Sequence, residues 1–424
     1  MSWRESLQPI RMQRIALVAP TAVLPDMLER VGDAGVVEFE PTDTEPTRDA
    51  ELRKRSELAA TDGPVAALAG WVPAPALQQL GDALGPIGAA AVPLEHPRGV
   101  QPPTLLRQRG ARAFDPLVKG YATVPYPDVD PTLLAGLAYV AMFGMMFGDV
   151  GHGLLLLAAA MVLRSGRIRS LHGVRRAWPF VAGAGAAASV FGVLYGEFFG
   201  PTGLLPVVWL APMEEPVTLL VTAVGVGAVL LGGAYALGTV NRLREGGWGF
   251  ALYSRTGIAG SLLFLALGLL AGGIYYDISP LVAGGAGLGL LGLALAFVGL
   301  LATAGRGGAA VLQAVVELFD VVIRLGSNLV SFARLAAFGL THAALGAVVW
   351  QGTTAAWGPG LAAVAAVAIF VVGNAIALTL EALVAGVQAL RLEYYELFSR
   401  IFDTEGRPFR PWTLPTSEPT EVTP

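Results

Sequence analysis

From residue 132 onward the chain is a succession of apolar stretches, each near or above bilayer-spanning length, and nothing constrains its fold more. They cover residues 132–163, 177–199, 217–240, 257–276, 281–304, 309–350 and 360–402. About 20 apolar residues cross the hydrocarbon core as a helix. In lipid every backbone polar group must be satisfied within the protein, so stretches of this length read as helices. Composition agrees, because only 14% of residues are charged against roughly 25% in a soluble domain. The sequence therefore predicts a polytopic α-helical membrane protein.

Residues 1–130 have a different character and read as a small cytoplasmic α+β domain. Arg14–Val18 alternates like a strand, Leu24, Met27, Leu28 and Val31 share one helical face, and Val36–Phe39 reads as a second strand. The pattern repeats with Trp71-Val72, a helix over 74–84 and a strand over 89–94. Residues 40–64 are polar, contain Pro and show no heptad, so they read as a linker. Residues 97–103 open a connection to the membrane part. No cleavable signal peptide is expected, because the apolar run Ile15–Leu24 is broken by Pro20 and followed by charges. The chain has no Cys, which excludes disulfides and thiolate metal sites. A net charge of −4 argues against a nucleic-acid partner. Only Lys54 and Lys119 among the 28 basic residues are lysines, which reads as genome composition.

Loop charges set the orientation. Arg164, Arg167, Arg169, Arg175 and Arg176 follow the first stretch, Arg242, Arg244 and Arg255 the third, Arg306 the fifth, and Arg400, Arg407 and Arg410 the last. The alternate loops, 200–216, 277–280 and 351–359, hold no Lys or Arg. The positive-inside rule puts the first set, and both termini, in the cytoplasm. The segment 132–163 must then begin and end on the same side. A turn at 148–153 (Gly-Asp-Val-Gly-His-Gly) resolves this and makes eight membrane helices in all. Residues 131–304 thus form a bundle with a broken hairpin. Residues 309–402 form two long helices of roughly 60 Å each, which must protrude, kink or tilt.

Those two segments also hold the ionisable groups. Ionisable residues within a span are functional hypotheses by default. Asp320, Arg324, Ser327, Ser331, Arg334 and His342 fall near one helical face, with Glu317 and Asn328 on the same segment. Asn374, Glu381, Gln388, Arg391 and Tyr395 form a second stripe. An arginine stays protonated under biological conditions and favours the ionised form of a carboxylate brought close to it. Plainer roles exist for several of these. Arg324 can snorkel to an interface, Glu381 can bridge to Arg391, and His342 can hold two helices together. Asp149 and His152 read as fixing the turn rather than carrying ions.

Four stretches resemble one family. They are MFGDVGHG at 146–153, FGVLYGEFFG at 191–200, SNLVSFARLAAFGLTH at 327–342, and LEALVAGVQALRLEYYE at 380–396 followed by GRPF at 406–409. The unit 14–40 and the run GWVP at 70–73 fit the same resemblance. The chain resembles the a/I subunit of V-type and archaeal A-type rotary ATPases. That resemblance implies an eight-helix membrane part whose last two tilted helices lie against a ring of proteolipids. It implies that Arg334 is the essential arginine and Arg391 the second one. Glu381 and His342 match polar positions lining the ion paths, and Asp320 falls near another. Gln388, Asn328 and Ser331 lie on the same stripes. The implied partners are the proteolipid ring, the peripheral stalks, the central-stalk cap and the bilayer. Two departures stand out. Phe332-Ala333 replaces a Tyr-Leu common in the family, and only residues 40–64 stand where a long coiled-coil arm is usual.

No phosphate-binding loop with Lys is present, so the chain is expected to carry no ATP site, catalytic residue, cofactor or metal. The expected function is ion translocation, a proton in our reading, through two half-channels in a prokaryotic cell membrane. An ion-coupled secondary transporter is the alternative, but only one broken helix and no internal repeat are seen. A non-catalytic scaffold is another, though it would not need Arg334, Glu381 and Arg391.

Overall fold

The computed structural model describes residues 9–39, 52, 55–95, 100–105 and 114–413. Residues 40–51 and 53–54 of the expected linker, Lys54 among them, and 97–99 of the expected connection lie outside the described residues, and the described end of the linker holds a short strand rather than a loop.

The described residues of 1–108, 122–130 and 404–424 form one compact unit, and those of 109–121 and 131–403 a second. In the first unit, β1 (Met12–Pro20) leads through a 3-10 turn into α1 (Leu24–Ala34) and β2 (Glu38–Phe39). A short β3 (Ala60–Asp62) then pairs with β4 (Val65–Pro73), and α2 (Leu77–Leu84) and β5 (Ala90–Pro93) follow. The strand order is β2-β4-β1-β5, with every pairing antiparallel. This interleaves two β-α-β units in one sheet. The period-2 pattern of β1 buries Ile15, Leu17 and Ala19, and α1 lays Leu24, Met27, Leu28 and Val31 into the same core. Gly35 ends α1 in the left-handed conformation, which glycine adopts without penalty.

The described residues after Asp403 belong to this unit rather than to the helices that precede them. Trp412 packs edge-on against Phe39 at 5.2 Å, and its backbone N–H donates to the Val37 carbonyl at 2.7 Å. Glu38 accepts from the Arg410 backbone N–H at 2.8 Å and pairs with Arg407 at 3.2 Å. Burial raises the Glu38 carboxyl above its ordinary value, with those two arginines pulling the other way.

The second unit is helical. After α3 (Asp115–Lys119) come α4 (Thr132–Met146), α5 (Val150–Ser165), a 3-10 segment (Arg169–Ala177) and α6 (Trp178–Tyr195). The helices α7 (Pro216–Tyr253), α8 (Ile258–Tyr275), α9 (Ser279–Ala304), α10 (Gly308–Ser331), α11 (Ala333–Ala355) and α12 (Leu361–Leu392) follow. A π-helical turn at Glu393–Phe398 and a last turn at Ser399–Ile401 close the unit. Among the described residues five helical stretches are long and apolar enough to cross a membrane, and α4 and α5 are shorter apolar helices. Large apolar side chains face outward, with Leu361 87% and Val229 76% exposed, as suits a surface covered by lipid or another apolar chain.

The chain reverses between α4 and α5 at residues 147–149. Asp149 caps α5, its Oδ1 accepting the His152 backbone N–H at 2.9 Å. The segment 309–350 is two helices rather than one, interrupted at the buried Phe332. The loop expected over 241–255 is largely helix, because α7 runs on to Tyr253 with a break only at Gly247.

Small residues let α5 and α6 approach closely. A Cβ on Gly185 would sit 2.9 Å from the Gly153 carbonyl oxygen, and one on Gly153 would sit 2.8 Å from that of Gly185. Such small-residue seams are how membrane helices gain packing where no hydrophobic drive exists between them. Gly268 of α8 has nothing within 4 Å. Gly185→Val is expected to destabilise the bundle by about 1–3 kcal/mol, and Gly268→Ala to leave it unchanged or slightly more stable. Thermal unfolding of the detergent-solubilised chain checks both.

Candidate functional site

The two polar stripes meet. The long segment α10–α11 and the returning α12 run antiparallel, and their ionisable residues face one another in register. His342 of α11 hydrogen-bonds through Nδ1 to Oε2 of Glu381 on α12. One turn and more toward the chain ends, Arg334 feels the charges of Arg391 and Glu396. Beyond them Ser331 lies beside the Glu396 carboxylate, while its hydroxyl donates to the Ser327 carbonyl of its own helix at 3.0 Å. With its amide oriented to satisfy its neighbours, Asn328 donates to the Arg324 carbonyl at 3.1 Å and accepts from Arg400. The seam thus runs from an acid–imidazole pair at one end to a cluster of arginines and a glutamate at the other.

Arg334 sits part-buried near the start of α11, immediately past the break at Phe332. Its Nη1 is buried without a hydrogen-bond partner. A buried guanidinium donor left unmade is costly, and carboxylates are its natural partners. Gln388 lies part-buried on α12 with its Oε1 likewise unpartnered. Beside the His342–Glu381 pair is a cavity of about 140 Å³ lined by Met146, Phe338, Thr341, Leu380 and Val384. Glu381 Oε1 is buried and unpartnered there.

Asp320 is not part of this seam. It pairs with Arg324 one turn on, at 2.6 Å, and both side chains are exposed. Asn374 spends its amide on the Phe370 carbonyl of its own helix at 2.8 Å. Tyr395, expected on the α12 stripe, points outward and is 69% exposed. The π-helical turn over 393–398 explains this. Each π turn holds one residue more than an α turn, so the face rotates and Glu396 replaces Tyr395. Glu393 is fully buried with both carboxylate oxygens unpartnered. Neither glutamate follows from an α-helical count along the sequence.

Near the other end, the α4–α5 reversal brings further buried polar groups. Asp149 Oδ2 accepts the Gly200 backbone N–H at 2.8 Å. The His152 ring lies 5.5 Å from that of His342. Glu197 is buried and interacts with both Asp149 and Glu381. Phe199, against the His152 ring at 5.2 Å, adopts a left-handed backbone with φ 52°, a strain of the kind that collects at functional sites. Asp149 does cap the turn, and the motif also delivers His152 to His342, which the sequence alone does not reveal.

Arg242, read above as a loop cation, is fully buried instead. Its Nη1 lies 2.9 Å from Glu245 and 3.2 Å from Asp403, and its Nη2 donates to the Ile401 carbonyl at 3.2 Å. Asn241 beside it donates to the same carbonyl. The pair ties α7 to the end of the helix that carries Arg391.

The chain matches the model of the V-type ATPase 116kDa subunit family over residues 60–173 and 307–414. It belongs to that family. The second matched block contains the whole polar seam, and the first contains the Asp149–His152 reversal. The chain is also similar to curated relatives. It is 27% identical over 371 residues to the A-type ATP synthase subunit I of Thermococcus kodakarensis, covering 82% of this chain and 54% of that protein. It is 27% identical over 360 residues to that of Pyrococcus horikoshii, covering 81% and 53%. It is 33% identical over 164 residues to the V-type ATP synthase subunit I 2 of Treponema pallidum, covering 36% and 35%. Against the first two of these relatives, the chain spans about half of their length.

Arg242 is fully buried while its partners Glu245 and Asp403 keep 12% and 33% of their side chains exposed, so replacing it removes the bonds that tie α7 to the chain after α12, each worth about 1.5–3 kcal/mol for a charged group. Arg242→Met is expected to lower the unfolding temperature sharply, while Arg324→Met, whose pair is exposed, is expected to change it little. Thermal melts of the two variants in the same detergent check the contrast.

Proposed function

We propose that this chain is the membrane-embedded stator subunit of a V/A-type rotary ATPase. In this reading it carries ions past a ring of proteolipids, and ATP is made or hydrolysed on other chains. The observation that carries the reading is the buried, unpartnered Nη1 of Arg334 at the centre of a polar seam between two long helices. A donor held in a low-dielectric site with no acceptor of its own is suited to a carboxylate that arrives from another chain.

The roles follow from charge. Arg334, supported by Arg391, favours the ionised state of a passing ring carboxylate. The carboxylate must release its ion on one side and take one up on the other. The His342–Glu381 pair and its adjoining cavity form one half-channel, opening toward the α4–α5 reversal. Ser331, Asn328 and Glu396 line the approach from the opposite end, Asp320 lies outside it in its exposed pair with Arg324, and Gln388 lies between the two paths. Arg334 keeps the two paths from joining, because a fixed cation repels a free proton or sodium ion. The family and the names of the relatives support this reading, as does the apolar outer surface.

In the same proposal the membrane part crosses eight times, with α4 and α5 as a short hairpin and the basic loops and both termini in the cytoplasm. The rotor ring, peripheral stalks and central-stalk cap are the partners. The ion is a proton in our reading, though the group that chooses between H⁺ and Na⁺ sits on the ring.

ATP-driven ion uptake into membrane vesicles tests the proposal. Arg334→Ala is expected to abolish uptake in complexes assembled to the normal level. Arg334→Lys is expected to restore little, because an ammonium lacks the planar donor fork. Normal uptake in the alanine variant would overturn the role of Arg334.

A further inference from the structure

Asp149, His152 and His342 converge from two segments, the α4–α5 reversal and α11. One donor atom from each lies within 4.8 Å of the other two, and all three residues are buried. Two imidazoles and a carboxylate are a donor set suited to a divalent transition ion.

An independent observation points to a ligand. His152 is 1% exposed, its Nδ1 lies 3.4 Å from Asp149 Oδ1 without hydrogen-bond geometry, and its Nε2 has no partner. Phe147 and Phe199 pack against its ring, with centroids 5.5 and 5.2 Å away. The neighbouring groups are arranged as outer support for a metal. Each Asp149 oxygen accepts one backbone N–H, from His152 and from Gly200, which fixes the carboxylate and leaves lone pairs free. Nδ1 of His342 is committed to Glu381, which leaves Nε2. A metal-bound histidine typically holds a carboxylate on its other nitrogen in this way. Asp149 and Glu381 together carry the two negative charges that neutralise a divalent cation in a low-dielectric site.

We propose that Asp149, His152 and His342 bind Zn²⁺ or a similar divalent transition ion, with Glu381 as the supporting carboxylate. Zinc–nitrogen bonds are about 2.0–2.1 Å, so the three side chains close inward on binding. A metal held there immobilises the His342–Glu381 pair and blocks the path that uses it. This blocking role rests on the proposed function, while metal binding does not.

The test is a titration of the purified full chain in lipid nanodiscs with Co²⁺, whose visible absorption reports low-coordinate binding. Wild type is expected to take up one Co²⁺ per chain with strong absorption that Zn²⁺ abolishes. His172→Gln, which changes an exposed histidine, is expected to behave as wild type. His152→Gln and Asp149→Asn are expected to raise the half-saturating Co²⁺ by more than about tenfold. Asparagine still caps a helix, so the second variant guards against a folding defect in the first. No strong absorption in wild type, or full absorption in His152→Gln, would overturn the site. Zn²⁺ bound at this site with ion uptake unaffected would overturn the blocking role, whatever the outcome for Arg334.

Discussion

Charge buried in an apolar bundle must be answered by a partner, and in this chain that requirement organises everything from α10 to the last helical turn. The hydrocarbon interior offers no water to ionised groups, and each one left alone costs several kcal/mol. Here the answer is antiparallel pairing. The polar stripe of α10–α11 meets that of α12, so that His342 finds Glu381 and Asn328 finds Arg400, with Ser331 placed beside Glu396. Arg334, near the middle, is left with an unmade donor. Glu381 Oε1, Gln388 Oε1 and one oxygen of Glu396 are likewise unpartnered, and Arg334 alone among these unmade groups is a donor.

The rest of the helical unit holds this seam in place. Tyr139 of α4 donates to the Gly386 carbonyl of α12 at 3.1 Å, so the hairpin α4–α5 braces the returning helix. The glycine seam between α5 and α6 fixes that hairpin in turn. Past the end of α12 the buried Arg242 clamps α7 to Ile401 and Asp403. The C-terminal part of α12 and the turns that follow it are thus tied to helices outside the seam on both sides of Arg391 and Glu396, which restricts how far these two can move relative to Arg334.

Much of this was legible in the sequence because apolar length and period are backbone-level signals. The apolar stretches after residue 132, the first-unit strands and the α1 face all follow from spacing. The stretches 146–153, 191–200, 327–342 and 380–396 were enough to suggest the family. What was not legible depends on departures from ideal helix geometry or on tertiary contact. The π turn at 393–398 moves Glu396 inward and Tyr395 outward, and no α-period count could foresee it. Asp320 and Arg324, earlier in α10 than Asn328 and Ser331, pair with each other in the open instead of joining the seam. Arg242 looked like a loop cation because its partners, Glu245 and Asp403, are brought to it only by the continued helix α7 and the chain end. His152 meets His342 only once the reversal at 147–149 is folded against α11.

The central claim is that two separate aqueous paths approach Arg334 from opposite faces of the membrane. The chain has no cysteine, so single cysteines introduced along the seam report access without background. The most direct measurement is labelling of Thr341→Cys and Ser327→Cys by a membrane-impermeant thiol reagent, added to one side of sealed vesicles at a time. The account predicts that Thr341→Cys reacts only from the face opposite the basic loops, and Ser327→Cys only from the face that carries them. Reaction of both positions from the same side would contradict it.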